Sequence, residues 1–267
     1  MAIGFLKRLF GGGPAPEPAS APPPAEPDPR AAVEDARAAS RRIRRDQHPL
    51  AWAEARQLLG NAMIHLAGSQ AGDGAISTYE EAESILAEAI ETAGPDAHPG
   101  FLASMINLYG YAAFCRGDRL DGDLQHGAYV DAAKRFALAL AKVTPEMQRA
   151  LWVDIGFYRG AALQALASLE DGATSAASLD AAAECFRAVA ERGMEDGSLH
   201  PIAAYDLHVV LQNRARLASG RAALPYLTEA RQALLQAMTS SSFAATHADN
   251  EARLAEIDAA IGAARLP

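Results

Sequence analysis

The sequence repeats a short glycine-centred motif, as LLGNA at residues 58–62, LYGYA at residues 108–112 and YRGAA at residues 158–162. The central glycines, Gly60, Gly110 and Gly160, follow one another at intervals of 50 residues. A fourth segment, LQNRA, has Asn213 where the others have glycine. A fixed period of this size is typical of proteins built from stacked copies of one small unit.

A second motif begins at the same distance after each of the three glycines. In the fourth copy it begins five residues closer to Asn213, which replaces the glycine. It consists of a small residue, a large apolar residue four positions later, and another small residue three positions beyond. Residues i and i+4 share a helix face, so each copy predicts a helical hairpin in which glycine lets the second helix approach closely. The second-motif residues are Ala82, Leu86 and Ala89; Ala132, Phe136 and Ala139; Ala182, Phe186 and Val189; and Ala230, Leu234 and Ala237. A bulky residue also lies eight positions before each of the three glycines and before Asn213, at Trp52, Leu102, Trp152 and Tyr205.

The composition favours the same fold class, because 50% of the residues are hydrophobic but only 6% are aromatic, and alanine is abundant. A lone hairpin leaves an apolar side unburied, so the copies must stack and the last must be capped. Residues 245–264 predict the capping helix, with Leu254, Ile257 and Ile261 on one stripe. We therefore predict an all-α helical-hairpin solenoid of four degenerate repeats with a C-terminal capping helix.

This pattern resembles the tetratricopeptide-repeat (TPR) superfamily over residues 49–240, and the resemblance implies a right-handed solenoid. The unit is longer than the usual one by about ten residues between the two helices, which is similar to TPR arrays found beside CHAT peptidase domains. No peptidase domain fits in the rest of this chain. The residues that match the family are Leu59 and Gly60 on the first helix and Ala82, Leu86 and Ala89 on the second, with Pro95 and Pro145 near its terminal proline.

The extra residues, AGSQAGDGAIS, GDRLDGDLQHG and LEDGATSAAS, are rich in glycine, aspartate and serine and predict surface loops on one edge of the solenoid. Asp118, Asp121 and Asp123 lack the residue order of an EF-hand, so we interpret them as part of a solvated loop.

The resemblance also implies a groove lined by the first helices, whose amides and aromatic rings suit an extended peptide or helix of a protein partner. Burial of several of these residues between repeats is the alternative. Capture of a C-terminal carboxylate is disfavoured, because no lysine accompanies Asn61. The candidate groove residues are Gln57, Asn61, His65, Asn107, Tyr111, Phe114, Asp154, Phe157, Gln164 and Arg214.

Residues 1–13, MAIGFLKRLFGGG, predict a short basic amphipathic helix that ends at three glycines. Such a segment can lie in an anionic membrane surface or dock in a partner's groove. The alternative is a disordered N-terminus whose apolar residues pack nonspecifically on the body. Residues 14–29 contain 8 prolines and predict an extended linker of up to about 50 Å. The candidate anchor consists of Ile3, Phe5, Leu6, Leu9 and Phe10 on one face, with Lys7 and Arg8 opposite.

Charge divides the chain into a basic arm and an acidic body, with net charges of +3 over residues 1–45 and −12 over the remainder. The acidic body argues against nucleic-acid binding. Residues 30–48 predict an arginine-rich helix that is solvated or paired with the body, although the five arginines from Arg37 to Arg45 can also bind phosphate. The body is completed by repeats over residues 49–240 and a cap over residues 241–267.

No catalytic motif is present, the seven histidines are scattered, and Cys115 and Cys185 fall in apolar helices. The sequence thus indicates no catalytic residue, metal or cofactor. No apolar stretch is long enough to span a membrane. We predict a non-enzymatic adaptor that is cytoplasmic, or peripheral at the inner face of a membrane. The alternative is a self-assembling scaffold, a homo-oligomer that uses the N-terminal helix in trans.

Overall fold

The computed structural model describes residues 28–194, 200–240, 243 and 246–266. These residues form ten α-helices and a short 3-10 turn with no strand among them, which confirms the all-α prediction. The predicted N-terminal helix and nearly all of the proline-rich linker lie outside the described residues. The helices are α1 (Pro29–Arg41), α2 (Pro49–Ser69), α3 (Asp73–Ala93), α4 (Pro99–Gly117), α5 (Gly122–Leu140), α6 (Pro145–Ala167), α7 (Gly172–Arg192), α8 (Pro201–Arg216), α9 (Leu224–Met238) and α10 (His247–Arg265).

Helices α2 to α9 form four consecutive hairpins, and each second helix also packs against the first helix of the next hairpin. Helix α1 packs on α2 at one end, and α10 packs on α9 at the other. The first helices also contact one another, α2 with α4 and α4 with α6. We call the exposed side of this layer of α2, α4, α6 and α8 the first-helix face. No helix in the described ranges is long and apolar enough to cross a membrane.

Each first helix begins with a proline, at Pro49, Pro99, Pro145 and Pro201. Proline is favoured there because the first residue of a helix has no intrahelical acceptor for an N–H group. The imidazole Nδ1 of His98 accepts a hydrogen bond of 3.2 Å from the Gly100 N–H, which satisfies one of the free donors at the start of α4.

The second half of each repeat begins at a left-handed glycine with a φ angle between 54° and 60°, a conformation that side chains with a Cβ atom disfavour. The connections between the helices of the first three hairpins are therefore only residues 70–72, 118–121 and 168–171. The predicted long surface loops are wrong, because the residues after each glycine form the first turns of the second helix. These glycines are Gly72, Gly122, Gly172 and Gly220, which precede Leu86, Phe136, Phe186 and Leu234 by one constant distance.

The repeated glycines lie where the two helices of a hairpin meet. A Cβ atom on Gly60 would lie 2.7 Å from Cγ of Leu86, and one on Gly160 would lie 2.9 Å from the ring of Phe186. Leu86 and Phe186 are at most 1% exposed. The predicted role of glycine in permitting close approach is confirmed at these interfaces.

The fourth repeat has a different register from the one predicted. In each of the first three repeats, the glycine that packs against the second helix precedes the left-handed glycine by one constant distance, as Gly60 precedes Gly72. In the fourth repeat, the residue at this distance before the left-handed Gly220 is His208 and not Asn213. His208 is fully buried, and burial lowers the pKa of its imidazole to about 4. The alignment on Asn213 was wrong because the left-handed glycine and the packing residue Leu234 set the register, not the similarity of LQNRA to the other copies.

The arginine-rich segment is held by ion pairs to the body. Helix α1 ends at Arg41, which is shorter than the predicted helix of residues 30–48. Arg37 pairs with Glu81 and Arg45 pairs with Glu88, both at 3.0 Å, and the guanidinium group of Arg45 lies 5.0 Å from the ring of Trp52. Intramolecular pairing, one of the two predicted states of these arginines, is therefore present.

The predicted capping helix forms as α10. Ile257 and Ile261 are at most 9% exposed, and Leu254 is half-buried beside them, as the apolar stripe predicts. Arg231 of α9 donates to Asp258 at 2.7 Å on the exposed side of the same interface. The C-terminal end of the stack is thus covered by a helix.

Candidate partner-binding surface

Two of the predicted groove residues belong to the core. Phe114 and Phe157 are 3% and 7% exposed. Phe157 packs edge-on against Phe186, with ring centroids 5.5 Å apart. The prediction that these two rings contact a partner is wrong, because they point between helices where the stacked hairpins bury them.

Arg214 also has a structural position. Its Nε donates to Asp180 of α7 at 2.9 Å, and its guanidinium lies 4.6 Å from the ring of Tyr226 of α9. It therefore joins α8 to both neighbouring second helices and is not on the first-helix face. The groove prediction for Arg214 is wrong because it used the wrong register for the fourth repeat. In the correct register, Arg214 follows His208 at the distance at which Arg116 follows Gly110, so Arg214 is equivalent to Arg116.

Tyr111 is a half-buried member of a cluster of tyrosines around Cys115, in which Tyr79 and Tyr129 are buried. The rings of Tyr111 and Tyr158 have centroids 4.7 Å apart, and Tyr79 and Tyr129 complete the cluster. Burial raises the pKa of the Cys115 thiol to about 12, so the reactive thiolate is not formed at neutral pH. Tyr111 is therefore mainly a packing residue between α4 and α6.

The remaining candidates, Gln57, Asn61, His65, Asn107, Asp154 and Gln164, are exposed or half-buried on the first helices. Gln57 donates from Nε2 to the Ser104 hydroxyl at 2.8 Å, which joins α2 to α4. One repeat later, the residue equivalent to Gln57 is Asn107 and the residue equivalent to Ser104 is Asp154. The face thus carries a polar row of Gln57, Ser104, Asn107 and Asp154.

Asn107 and Asp154 are the unsatisfied part of this row. The Oδ1 atom of Asn107 is buried without a hydrogen-bond partner in the described part of the chain. The Asp154 side chain is exposed and unpaired there, yet the surrounding helices desolvate it and raise the pKa of its carboxyl group. Leaving a buried acceptor unpaired costs about 1–3 kcal/mol, so a ligand that donates hydrogen bonds would be stabilised here.

A cleft of about 450 Å³ adjoins the polar row. It lies between the N-terminal ends of α4 and α6, where Gln148 interrupts the helical backbone of α6 with φ −157° and ψ 79°. Ser104 lines the cleft and accepts the hydrogen bond from Gln57, so cleft and row are continuous. The lining residues are His98, Gly100, Phe101, Ser104, Val143, Met147 and Gln148.

The predicted groove did not include this cleft, although the sequence contains a signal for it. Pro49 precedes Gly60 by the same distance as Pro99 precedes Gly110, but Pro145 lies four positions farther from Gly160. This longer spacing places the break at Gln148. A comparison of the three spacings would have identified the third repeat as the irregular one.

The stacked hairpins and their polar first-helix face define a helical-repeat protein. Within the described ranges, no three His, Cys, Asp or Glu side chains lie together in a way that could hold a metal ion. No protein-family model matches the chain, and no curated protein is significantly similar to it.

Proposed function

We propose that this protein is a non-enzymatic adaptor of the TPR type, a right-handed solenoid whose first-helix face binds an extended peptide segment of a protein partner. The observation that carries the proposal is the unpaired Asn107 acceptor, which belongs with Asp154 to the polar row that Ser104 connects to the cleft. Main-chain N–H groups of a peptide are the donors that such a row lacks.

Cleft and charge indicate what kind of peptide fits. Phe101 and Met147 provide apolar contact in the cleft, which suits one apolar side chain of the partner. Asp154 and the net charge of −12 over residues 46–267 favour a basic residue beside it. We therefore propose a basic peptide with one apolar anchor.

A random peptide library panned against the full chain tests this proposal. Selected peptides are expected to lose about tenfold or more in affinity for an Asn107→Ala/Asp154→Ala variant, since each removed contact is worth roughly 1 kcal/mol. The matched control is Lys134→Ala, which alters an exposed position on α5. Peptides that bind all three proteins equally, or a library that yields no binder, would count against the proposal.

Residues 1–13 are proposed to attach the complex, through Lys7, Arg8 and the apolar residues beside them, to an anionic membrane surface or a second partner at the cytoplasmic side. The apolar side chains would enter the lipid interface, while each cation adds about 1 kcal/mol on anionic lipid. The alternative is a self-assembling scaffold in which this segment enters the first-helix face of another copy.

Vesicle sedimentation and solution mass separate these two alternatives. With vesicles containing phosphatidylserine, Phe5→Glu/Phe10→Glu is expected to abolish binding of the full chain, and added salt only to weaken binding of the unaltered chain. An unchanged solution mass in the variant supports attachment to the membrane. A mass that halves with no vesicle binding by either protein supports self-assembly.

A further inference from the structure

Helix α1 occupies the position of a second helix in the stack. Arg37 of α1 pairs with Glu81 of α3 at 3.0 Å, and Arg187 of α7 pairs with Glu229 of α9 at 2.7 Å. Arg37 and Arg187 are equivalent because three repeat lengths separate them. Glu81 and Glu229 are equivalent because each lies at the same distance after the left-handed glycine of its own hairpin. Helix α1 is therefore placed against α3 as α7 is placed against α9.

The face of α1 that a first helix would cover is exposed. In the four hairpins, the alanine, large apolar and small residues of the second motif are at most 1% exposed. At the same register in α1, Ala32 and Ala39 are exposed and Ala36 is half-buried. Among the described residues, α1 is thus a second helix with no first helix of its own.

Leu58 on α2 shows the same deficit from the other side. Its equivalent in the third repeat, Tyr158, packs against Tyr111 of the preceding first helix with ring centroids 4.7 Å apart. Leu58 is 61% exposed, because the described residues contain no first helix before α2. We call the surface formed by these incompletely covered residues of α1 and α2 the N-terminal slot; they are Ala32, Ala36, Ala39 and Leu58.

We propose that residues 3–10 of the same chain bind in the N-terminal slot as the first helix of an additional hairpin. In the register of the repeats, Phe10 takes the position of Gly60, and Ala36 takes the position of Leu86. The next three hairpins pair glycine with leucine or phenylalanine, whereas this one pairs phenylalanine with alanine. The large and small residues are exchanged, so the pair still fills a similar volume.

The charges agree with this register. Gln57 and Ser104 form a hydrogen bond between successive first helices. One repeat earlier, the residue equivalent to Gln57 is Lys7 and the residue equivalent to Ser104 is Glu54. Glu54 is exposed beside Leu58 and pairs with no described residue. Docking of the segment would bring Lys7 to this carboxylate.

The connection is long enough and favours the same chain over a second copy. Residues 11–28 can span up to about 60 Å, while the next three hairpins close with three or four residues. Tethering gives a local concentration on the order of millimolar, which exceeds ordinary protein concentrations. The apolar face that fills the slot cannot contact lipid at the same time, so a membrane must compete with the slot for it. This inference goes beyond the proposed adaptor function and does not depend on peptide binding.

Disulfide trapping in the full chain tests the docking. Phe10→Cys/Ala36→Cys is expected to form an intramolecular disulfide whose yield does not change with protein concentration. Phe10→Cys/Ala38→Cys is the matched control, because Ala38 is exposed two positions along α1 on a different side of the helix. The native Cys115 and Cys185 are buried and serve in both proteins as an unreacted background.

A charge exchange provides the second readout. Lys7→Glu or Glu54→Lys alone is expected to slow trapping about two- to fivefold, and the two changes together to restore it. Disulfide-linked dimers that increase with concentration would overturn docking in cis and indicate a second copy. Equal trapping at positions 36 and 38, or none at either, would also overturn it. Neither peptide nor vesicle is present, so this result is independent of the proposed function.

Discussion

Replacing Glu83 with alanine is expected to lower the free energy of unfolding by about 3 to 5 kcal/mol. The carboxylate accepts from Nε of Arg116 on α4 and from Nη1 of Arg135 on α5, both at 2.6 Å. These three side chains are only 10–18% exposed, so the alanine variant would leave two largely desolvated cations without a counter-charge. Arg135 also donates to the Tyr109 carbonyl and lies over its ring, which prevents it from moving easily into water.

Urea unfolding with two companion variants checks this expectation. Glu80→Ala changes an exposed residue of the same helix and is expected to shift stability by less than about 0.5 kcal/mol. The next two repeats have buried alanines, Ala133 and Ala183, at the Glu83 position. Adding Arg116→Leu and Arg135→Ile, the residues found at equivalent places in neighbouring repeats, should therefore recover most of the loss. A Glu83→Ala variant as stable as Glu80→Ala would show that the network contributes little.

Replacing Gly160 with leucine is expected to cost at least about 1–3 kcal/mol. Even a Cβ atom at this position would lie 2.9 Å from the ring of Phe186, which is 1% exposed and packed against Phe157. The added side chain has no space unless α6 and α7 separate. Because α6 also packs on α5 and α7 also packs on α8, separation would disturb the packing on either side of the hairpin.

A size exchange distinguishes overpacking from a general effect of altering a glycine. Phe186→Ala alone should cost about 3 to 5 kcal/mol, but combined with Gly160→Leu the total loss should be clearly less than the sum of the two. Gly127→Ala is the control, since nothing lies within 4 Å of its Cβ position and alanine favours a helix by up to about 1 kcal/mol. Additive losses in the double variant would mean that the two side chains do not share one space.

Individual residues show how far sequence reasoning reached at the candidate site. Asn107 and Asp154 were predicted for the groove, and the structure places both on the first-helix face. Phe114 and Gln164 share one offset from their glycines, yet Phe114 is 3% exposed and Gln164 only half-buried. The offset identifies a direction on the helix, but exposure in that direction depends on which side chains the neighbouring hairpins bring there.

The amino-acid sequence alone was enough to predict the all-α class, the pairing of helices into hairpins, and the role of glycine in the close approach of the two helices. These follow from spacings within single helices and single repeats, where helix geometry alone decides which residues share a face. Packing in three dimensions set the register of the fourth repeat, the short connections, and the buried pairing of Glu83 with two arginines. Each depends on how far one helix is displaced along another, and that displacement is set by packing between side chains that are distant in sequence.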